Sequence, residues 1–455
     1  MKSARPGNPF SPVLSPGTCA TLLLGLGLVS SLHAEVWIPR AQQWLGQQGW
    51  KLGTSVALRV ASDEGHVVTR VYVGAPNSPA GALANAGAVL VFDPGPDGCQ
   101  PVGTLFSPNP QAGAHFGAAI AFSAGNLVVG SPDYNHAAGV GANAGRVEFF
   151  SDNGDTPLDI VRLGSRIGNG GNFGSAVAAD GDMAAVGIPN AGSTDGCVSG
   201  FRFIENTGWV SLPAVENIVC GISGAALGAS IAIRRTGENS YLLAAGAPGE
   251  TQNGNVLAGA AHVFVPNPNT GVGGFLEVGT LAAASPTGFD FFGTSIGIND
   301  NFVYVGATGR DNGVGRVGSV TIFKPAFLIG YNRLSEYFPG PPATIGGHCG
   351  ASLSVDPYDS SQFILGCPDS DGILAGEGTA RVYRQFEFLG QTVWAESVLS
   401  YGNTLHGADA LGKSVTLAGN RAFVGAPNVN FPPPQTGNGG WKEFVPDRIY
   451  RDGFQ

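Results

Sequence analysis

Phe116-Gly-Ala-Ala-Ile-Ala-Phe-Ser-Ala-Gly-Asn-Leu-Val-Val-Gly-Ser-Pro132 is the stretch from which the fold can be read. Two short apolar runs flank Ala124-Gly125-Asn126, a combination suited to a tight turn between antiparallel strands. The stretch opens on Phe-Gly and closes on Gly-Ser-Pro, and the 13 residues from Gly117 to Gly130 hold two strands of about five residues. A related stretch recurs along the chain. The opening pairs are Leu52-Gly53, Phe116-Gly117, Phe173-Gly174, Leu227-Gly228, Phe292-Gly293, Cys349-Gly350 and Leu411-Gly412. Successive marker glycines lie 64, 57, 54, 65, 57 and 62 residues apart.

Two positions after each marker glycine stands Ser or Ala: Ser55, Ala119, Ala176, Ser230, Ser295, Ser352 and Ser414. A Val, Ile or Leu follows each of them, which is read as facing the neighbouring unit while the small residue lets inner strands crowd together. The closing signature is Gly-Ala-Pro or a variant, from Gly74-Ala-Pro76 to Gly425-Ala-Pro427. A third strand carries Gly five residues before an aromatic: Gly87/Phe92, Gly145/Phe150, Gly259/Phe264, Gly318/Phe323, Gly378/Tyr383 and Gly439/Phe444. The third unit is read as deviating there, as Val198-Ser-Gly-Phe-Arg-Phe203. A looser fourth strand precedes the next marker, as in Pro101–Leu105 and Leu276–Thr280.

Four strands in each of seven units predict an all-β fold, a seven-bladed β-propeller of antiparallel blades. The last unit lacks a fourth strand, and Glu35-Val-Trp-Ile-Pro39 is spare, so this segment is expected to complete the last blade and close the ring. An open solenoid is the alternative geometry.

Composition agrees with this reading. The chain has 455 residues, with 72 Gly and 31 Pro, 12% charged and 43% hydrophobic residues. Such a mixture excludes collagen, coiled coils and disordered polyelectrolytes.

The pattern resembles the FG-GAP repeat of integrin α-subunit propellers, and more closely its secreted bacterial branch. The resemblance covers about residues 48–446. It implies an interaction module whose ligand face is built from the connections between second and third strands. Many members hold calcium in an Asp-rich loop between the first and second strands. Here the corresponding turns are short or read Arg59–His66, Arg234–Asn239 and Asp356–Ser361, without alternating Asp, so no metal and no cofactor is expected.

Residues 1–34 read as a signal peptide: Lys2 and Arg5, the apolar run Ala20–Val29, and Ala34 ahead of Glu35. A membrane anchor is the alternative, but the run is shorter than the about 20 residues that span hydrocarbon. The propeller is assigned to 35–446 and a tail to 447–455. That tail is similar to aromatic-Asp-Gly-Phe ends of exported proteins in some gram-negative bacteria, and an ordinary frayed terminus is the other reading. Removing residues 1–34 takes away two positive charges and moves the net charge from −10 to −12. An acidic surface argues against nucleic acid and anionic lipid. Cys197 with Cys220, and Cys349 with Cys367, are disulfide candidates for an oxidising compartment, leaving Cys99.

No nucleophile elbow, His-Glu-x-x-His or phosphate loop occurs. His115 and His348 share a repeat position just before the marker, where they are read either as lining one mouth or as ordinary loop residues. The long connections after the second strands supply the binding candidates Asp133, Tyr134, His136, Arg310, Asp311, Asp369 and Asp371. The expectation is a secreted or surface-exposed, non-catalytic, monomeric propeller that binds a protein or glycan. An extracellular hydrolase and a structural envelope component are the alternatives.

Overall fold

The computed structural model describes residues 37–446 apart from 62–66, 96–97, 137–142, 153–159, 169, 192–194, 212–217, 238–239, 267–274, 327–329, 342–343, 357–358, 373–374, 389–390, 401–408 and 431–436. Residues 1–34, read above as a signal peptide, the tail and the outer parts of several long connections therefore lie outside the described residues.

Each repeat folds into one antiparallel sheet, and seven sheets form a ring. Blade one comprises Val56–Ala61, Val67–Ala75, Ala88–Gly95 and Gly98–Leu105. Blade two comprises Ala119–Ser123, Asn126–Ser131, Arg146–Asp152 and Ile160–Ile167. Blade three has Val177–Asp180, Met183–Ile188 and Cys197–Ile204, with an outer edge in two pieces, Gly208–Ser211 and Ile218–Cys220. Blades four, five and six begin at Ser230, Phe292 and Ser352 and keep the four-strand order. Blade seven has Ser414–Ala418, Arg421–Ala426 and Gly440–Pro446, completed by Trp37–Leu45 from the other end of the chain. The register runs Trp37 opposite Pro446 to Leu45 opposite Gly440, so the ring closes as the spare strand implied.

The repeat residues make the joints between blades. The residue before every marker glycine forms a parallel bridge to the third-strand glycine of the preceding blade: Phe116 to Gly87, Phe173 to Gly145, Leu227 to Gly196, and so on to Leu52 with Gly439. Blade three is thus regular. Its third-strand glycine is Gly196, five residues before Phe201, and the reading from Val198 started inside the strand.

The second-marker glycine lies against the next blade's first-marker glycine. A Cβ on Gly246 would collide with the carbonyl of Gly293, and one on Gly366 with that of Gly412. Backbone therefore approaches backbone where a side chain has no room. The Ser at the small position has a further role. Ser55, Ser230, Ser295, Ser352 and Ser414 each donate a hydrogen bond of 2.7–2.8 Å to the marker carbonyl of the following blade.

Seven apolar clusters fill the seven seams, each contributed by two adjacent blades. In one, Phe149 stacks on Trp209 at 4.8 Å; in another, Phe363 stacks on Tyr383 at 4.7 Å. The aliphatic position after the Ser/Ala also lines an axial channel of about 310 Å³, through Val56, Ile231, Ile296, Leu353 and Val415. Among the described residues no helix is long and apolar enough to cross a membrane.

Candidate functional site

The strand directions give the ring two faces. One carries the short turns between first and second strands. The other carries the long second-to-third connections and the passage from each blade to the next. Trp37 opposite Pro446 places both described chain ends on the short-turn face.

The long-loop face is built on a repeated backbone device. The residue just before each marker pair holds a left-handed conformation: Lys51 (φ 57°), His115 (57°), Asn172 (61°), Ala226 (54°), Phe291 (52°), His348 (49°) and Ala410 (58°). The carbonyl one residue earlier accepts an N–H from the residue after the Gly-Ala-Pro signature, as in Asn190 to Gly171 (3.2 Å), Gly249 to Ala225 (3.0 Å) and Asn428 to Asp409 (3.2 Å). Side chains at these two positions therefore meet on the surface.

In blade two, His115 Nδ1 lies 2.6 Å from Asp133, and Asn172 of blade three donates to the other carboxylate oxygen at 2.8 Å. Asn190 donates to Asn172 at 2.8 Å and extends the network. Blade six repeats the pair, with His348 Nδ1 2.7 Å from Asp369. Across the closing seam, Lys51 donates to Asn428 at 2.6 Å. The shared position of the two histidines thus has a structural meaning, which is pairing with a loop carboxylate. Among the described residues neither imidazole is hydrogen-bonded to a Ser, Thr or Cys side chain.

The seven proposed binding residues are spread over blades two, five and six. Tyr134 is half-buried, with the Arg146 guanidinium 4.1 Å from its ring centre. His136 is half-buried, with a buried Nδ1 that has no hydrogen-bond partner among the described residues. Asp311 is exposed and accepts the Gly313 N–H at 2.7 Å. Asp369 is exposed; Asp371 is half-buried and accepts the Gly376 N–H at 2.8 Å.

Arg310 belongs elsewhere. It is 8% exposed, paired with Glu336 at 2.7 Å and Asp290 at 3.0 Å, and bound to the Ser285 carbonyl. Next to Asp311 in sequence it resembles a surface loop residue. In the fold it is a buried strut, because a desolvated guanidinium requires carboxylates around it.

The same face carries apolar side chains that the sequence reading passed over. Val256 is 57% exposed, Phe289 54%, Val314 82% and Ile345 67%. The Phe289 N–H donates to the Val256 carbonyl at 3.0 Å, and Ile345 packs on Gly315 beside Val314. They lie as two neighbouring pairs, Val256 with Phe289 and Val314 with Ile345, along blades four to six. A signal existed in the sequence: Gln252-Asn-Gly-Asn-Val256 and Asp311-Asn-Gly-Val314 each place Val at the end of an Asn-Gly turn.

Three titratable groups stand out. Burial, and then the neighbouring Glu377, pushes the Asp409 carboxyl up to about 7. Burial alone lowers the His262 pKa, but hydrogen bonds to Glu250 (2.7 Å) and Glu277 (2.8 Å) carry it above its ordinary value. Cys99 is buried beside Glu443 and keeps its thiol, which burial and that carboxylate push up to about 12. Cys197 bonds to Cys220, and Cys349 to Cys367.

The short-turn face spends its carboxylates on arginine. Asp300 and Asp180 hold Arg234 at 2.8 and 3.6 Å, and Asp182 holds Arg202 at 2.9 Å. Among the described residues no three His, Cys, Asp or Glu side chains group so as to hold a metal ion.

The ring defines the chain as a seven-bladed β-propeller. No protein-family model and no curated protein matches it.

Proposed function

We propose that the chain is an exported, non-catalytic, monomeric binding module of the FG-GAP type, which holds a protein or glycan ligand on its long-loop face. The observation that carries this reading is the two exposed apolar pairs on that face, Val256 with Phe289 and Val314 with Ile345. Exposed apolar side chains that adjoin one another on a soluble domain mark an interaction surface. Aliphatic tips ringed by Asp311, Asn312 and Arg316 match the apolar centre and polar rim of a protein interface, and so favour a protein over a glycan.

Two further observations support the reading. Both described chain ends leave on the opposite face, so a tether at either end leaves the long loops free. Two disulfides suit an oxidising compartment.

The His115–Asp133 and His348–Asp369 pairs favour the second reading, a hydrolase, because a carboxylate-oriented imidazole is half of a familiar catalytic arrangement. One panel separates the two. The full chain is assayed for turnover of esters, phosphoesters and glycosides, and for saturable binding to arrayed surface proteins and glycans. Binding without turnover is expected. Turnover abolished by His115→Gln or His348→Gln would establish the hydrolase instead.

A further inference from the structure

Blade three differs from the others at its outer edge. Its third strand, Cys197–Ile204, is paired in two stretches. Gly208–Ser211 covers Phe201–Ile204, and Ile218–Cys220 covers Cys197–Ser199. The Cys197–Cys220 disulfide ties the second piece to the strand start. Between this divided edge and the end of the outer strand of blade two lies a cavity of about 450 Å³. Its walls are apolar and aromatic, with Phe173, Phe201 and Ile188, and Ser199 supplies a buried polar group. The Phe173 and Phe201 rings meet edge-on at 6.1 Å.

Arg166 stands on the rim. Its guanidinium donates to the backbone carbonyls of Ser165 and Trp209. Among the described residues it has no carboxylate partner, although the chain is acidic. The buried-seam arginines differ: Arg70 pairs with Asp152, Arg310 with Asp290 and Arg421 with Glu443. A half-buried guanidinium with spare N–H groups beside an aromatic cavity is a receptor for a planar anion.

We propose that this cavity is a binding site for a small aromatic anion, a carboxylate or sulfonate. Its ring packs against Phe173 and Phe201, and its charged group is held by Arg166. The volume falls within the roughly 300–1,000 Å³ of small-molecule sites, and apolar walls with a few polar groups are their usual chemistry. The aromatic rings favour a flat partner over a branched aliphatic one. The site lies at the outer rim of the seam between blades two and three and does not depend on the long-loop face.

The test uses the full chain and two dyes of similar shape. One is 8-anilinonaphthalene-1-sulfonate and the other is the uncharged N-phenyl-1-naphthylamine. Saturable fluorescence enhancement with one site per chain is expected for the anion. Arg166→Gln should weaken it at least about tenfold, the loss of one charge-assisted contact, while changing the neutral dye less than about twofold. Ser211→Trp, at the exposed cavity mouth, should block both dyes with the thermal unfolding midpoint unchanged. Anion binding that survives both substitutions, or no saturable binding, overturns the proposal. Loss only in Ser211→Trp overturns the role of Arg166 and with it the anionic class.

Discussion

Ala226 illustrates how much of the fold is held at single residues. Its φ of 54° places it in the left-handed region, as at the same position of the other six repeats. An L-residue pays about 1–2 kcal/mol there, and glycine does not. Ala226→Gly should therefore raise stability by about 0.5–1 kcal/mol in denaturant unfolding, after glycine's extra chain entropy is subtracted. Ala226→Val should lower it, because a β-branched side chain fits that region poorly. Asp409 gives a pH-dependent counterpart. Its carboxyl is raised from 3.8 to about 7 in the folded state, so the native protein binds more protons than the unfolded chain between those values. Stability falls as pH rises through that window, and the loss is complete above about 7. Asp409→Asn should raise the thermal midpoint more at pH 8 than at pH 5; an equal change at both pH values would contradict the assignment. At this scale the sequence was partly legible. The seven aligned positions could be counted, but backbone dihedrals and burial could not. Arg310 was misread for that reason, since its partners Asp290 and Glu336 lie 20 and 26 residues away.

The blade is the next unit. Glycines and turn residues are periodic and local in the sequence, so strand order was legible from them. Exceptions arose where the pattern shifted by a few residues. Gly196 precedes the apolar run Val198–Phe203 that stands out in the sequence, and the divided outer edge of blade three leaves no mark in the strand periodicity. The disulfides act at this scale too. Cys349 and Cys367 are 18 residues apart and replace the aromatic and the alanine of the two markers in blade six. Closing a loop of that length contributes about 2–4 kcal/mol. A double Cys349→Ala, Cys367→Ala variant should lose stability by that amount, whereas loss of less than about 0.5 kcal/mol would show that the seam alone holds the blade. The serine bonds to the next marker carbonyl explain a bias toward Ser over Ala that crowding alone did not. Each is a short bond into the neighbouring blade, so it ties blades together and does more than spare space.

At the scale of the whole molecule, neither disulfide among the described residues links the two ends of the ring. The ring is closed by Trp37–Leu45 on Gly440–Pro446, with Arg40 3.6 Å from Glu443 and 3.5 Å from the Gly95 carbonyl of blade one. That closure was legible because one strand was missing at one end and spare at the other. The candidate binding surface was less legible. Loop length pointed to the face that carries the exposed apolar side chains, whereas the polar residues of the same loops are largely engaged with one another. Asp133 and Asp369 are engaged with histidines. Among the described residues, the apolar side chains left more than half uncovered on that face include Val256, Phe289, Val314 and Ile345, with Ile222 apart from them in the passage to blade four. Exposure is a property of the assembled ring, to which hydrophobicity along the chain gives little access.

The two faces can be set against each other in one measurement. Once a saturable protein ligand of the full chain is identified, its affinity is compared for Val314→Asp with Ile345→Asp on the long-loop face and for Val67→Asp on the short-turn side. All three residues are more than half exposed, so the substitutions spare the core. The account predicts at least about a hundredfold loss for the loop-face pair, from two apolar contacts worth about 1.5–3 kcal/mol each, and less than about twofold for Val67→Asp. Equal affinity in the loop-face pair, or a loss confined to Val67→Asp, would contradict it.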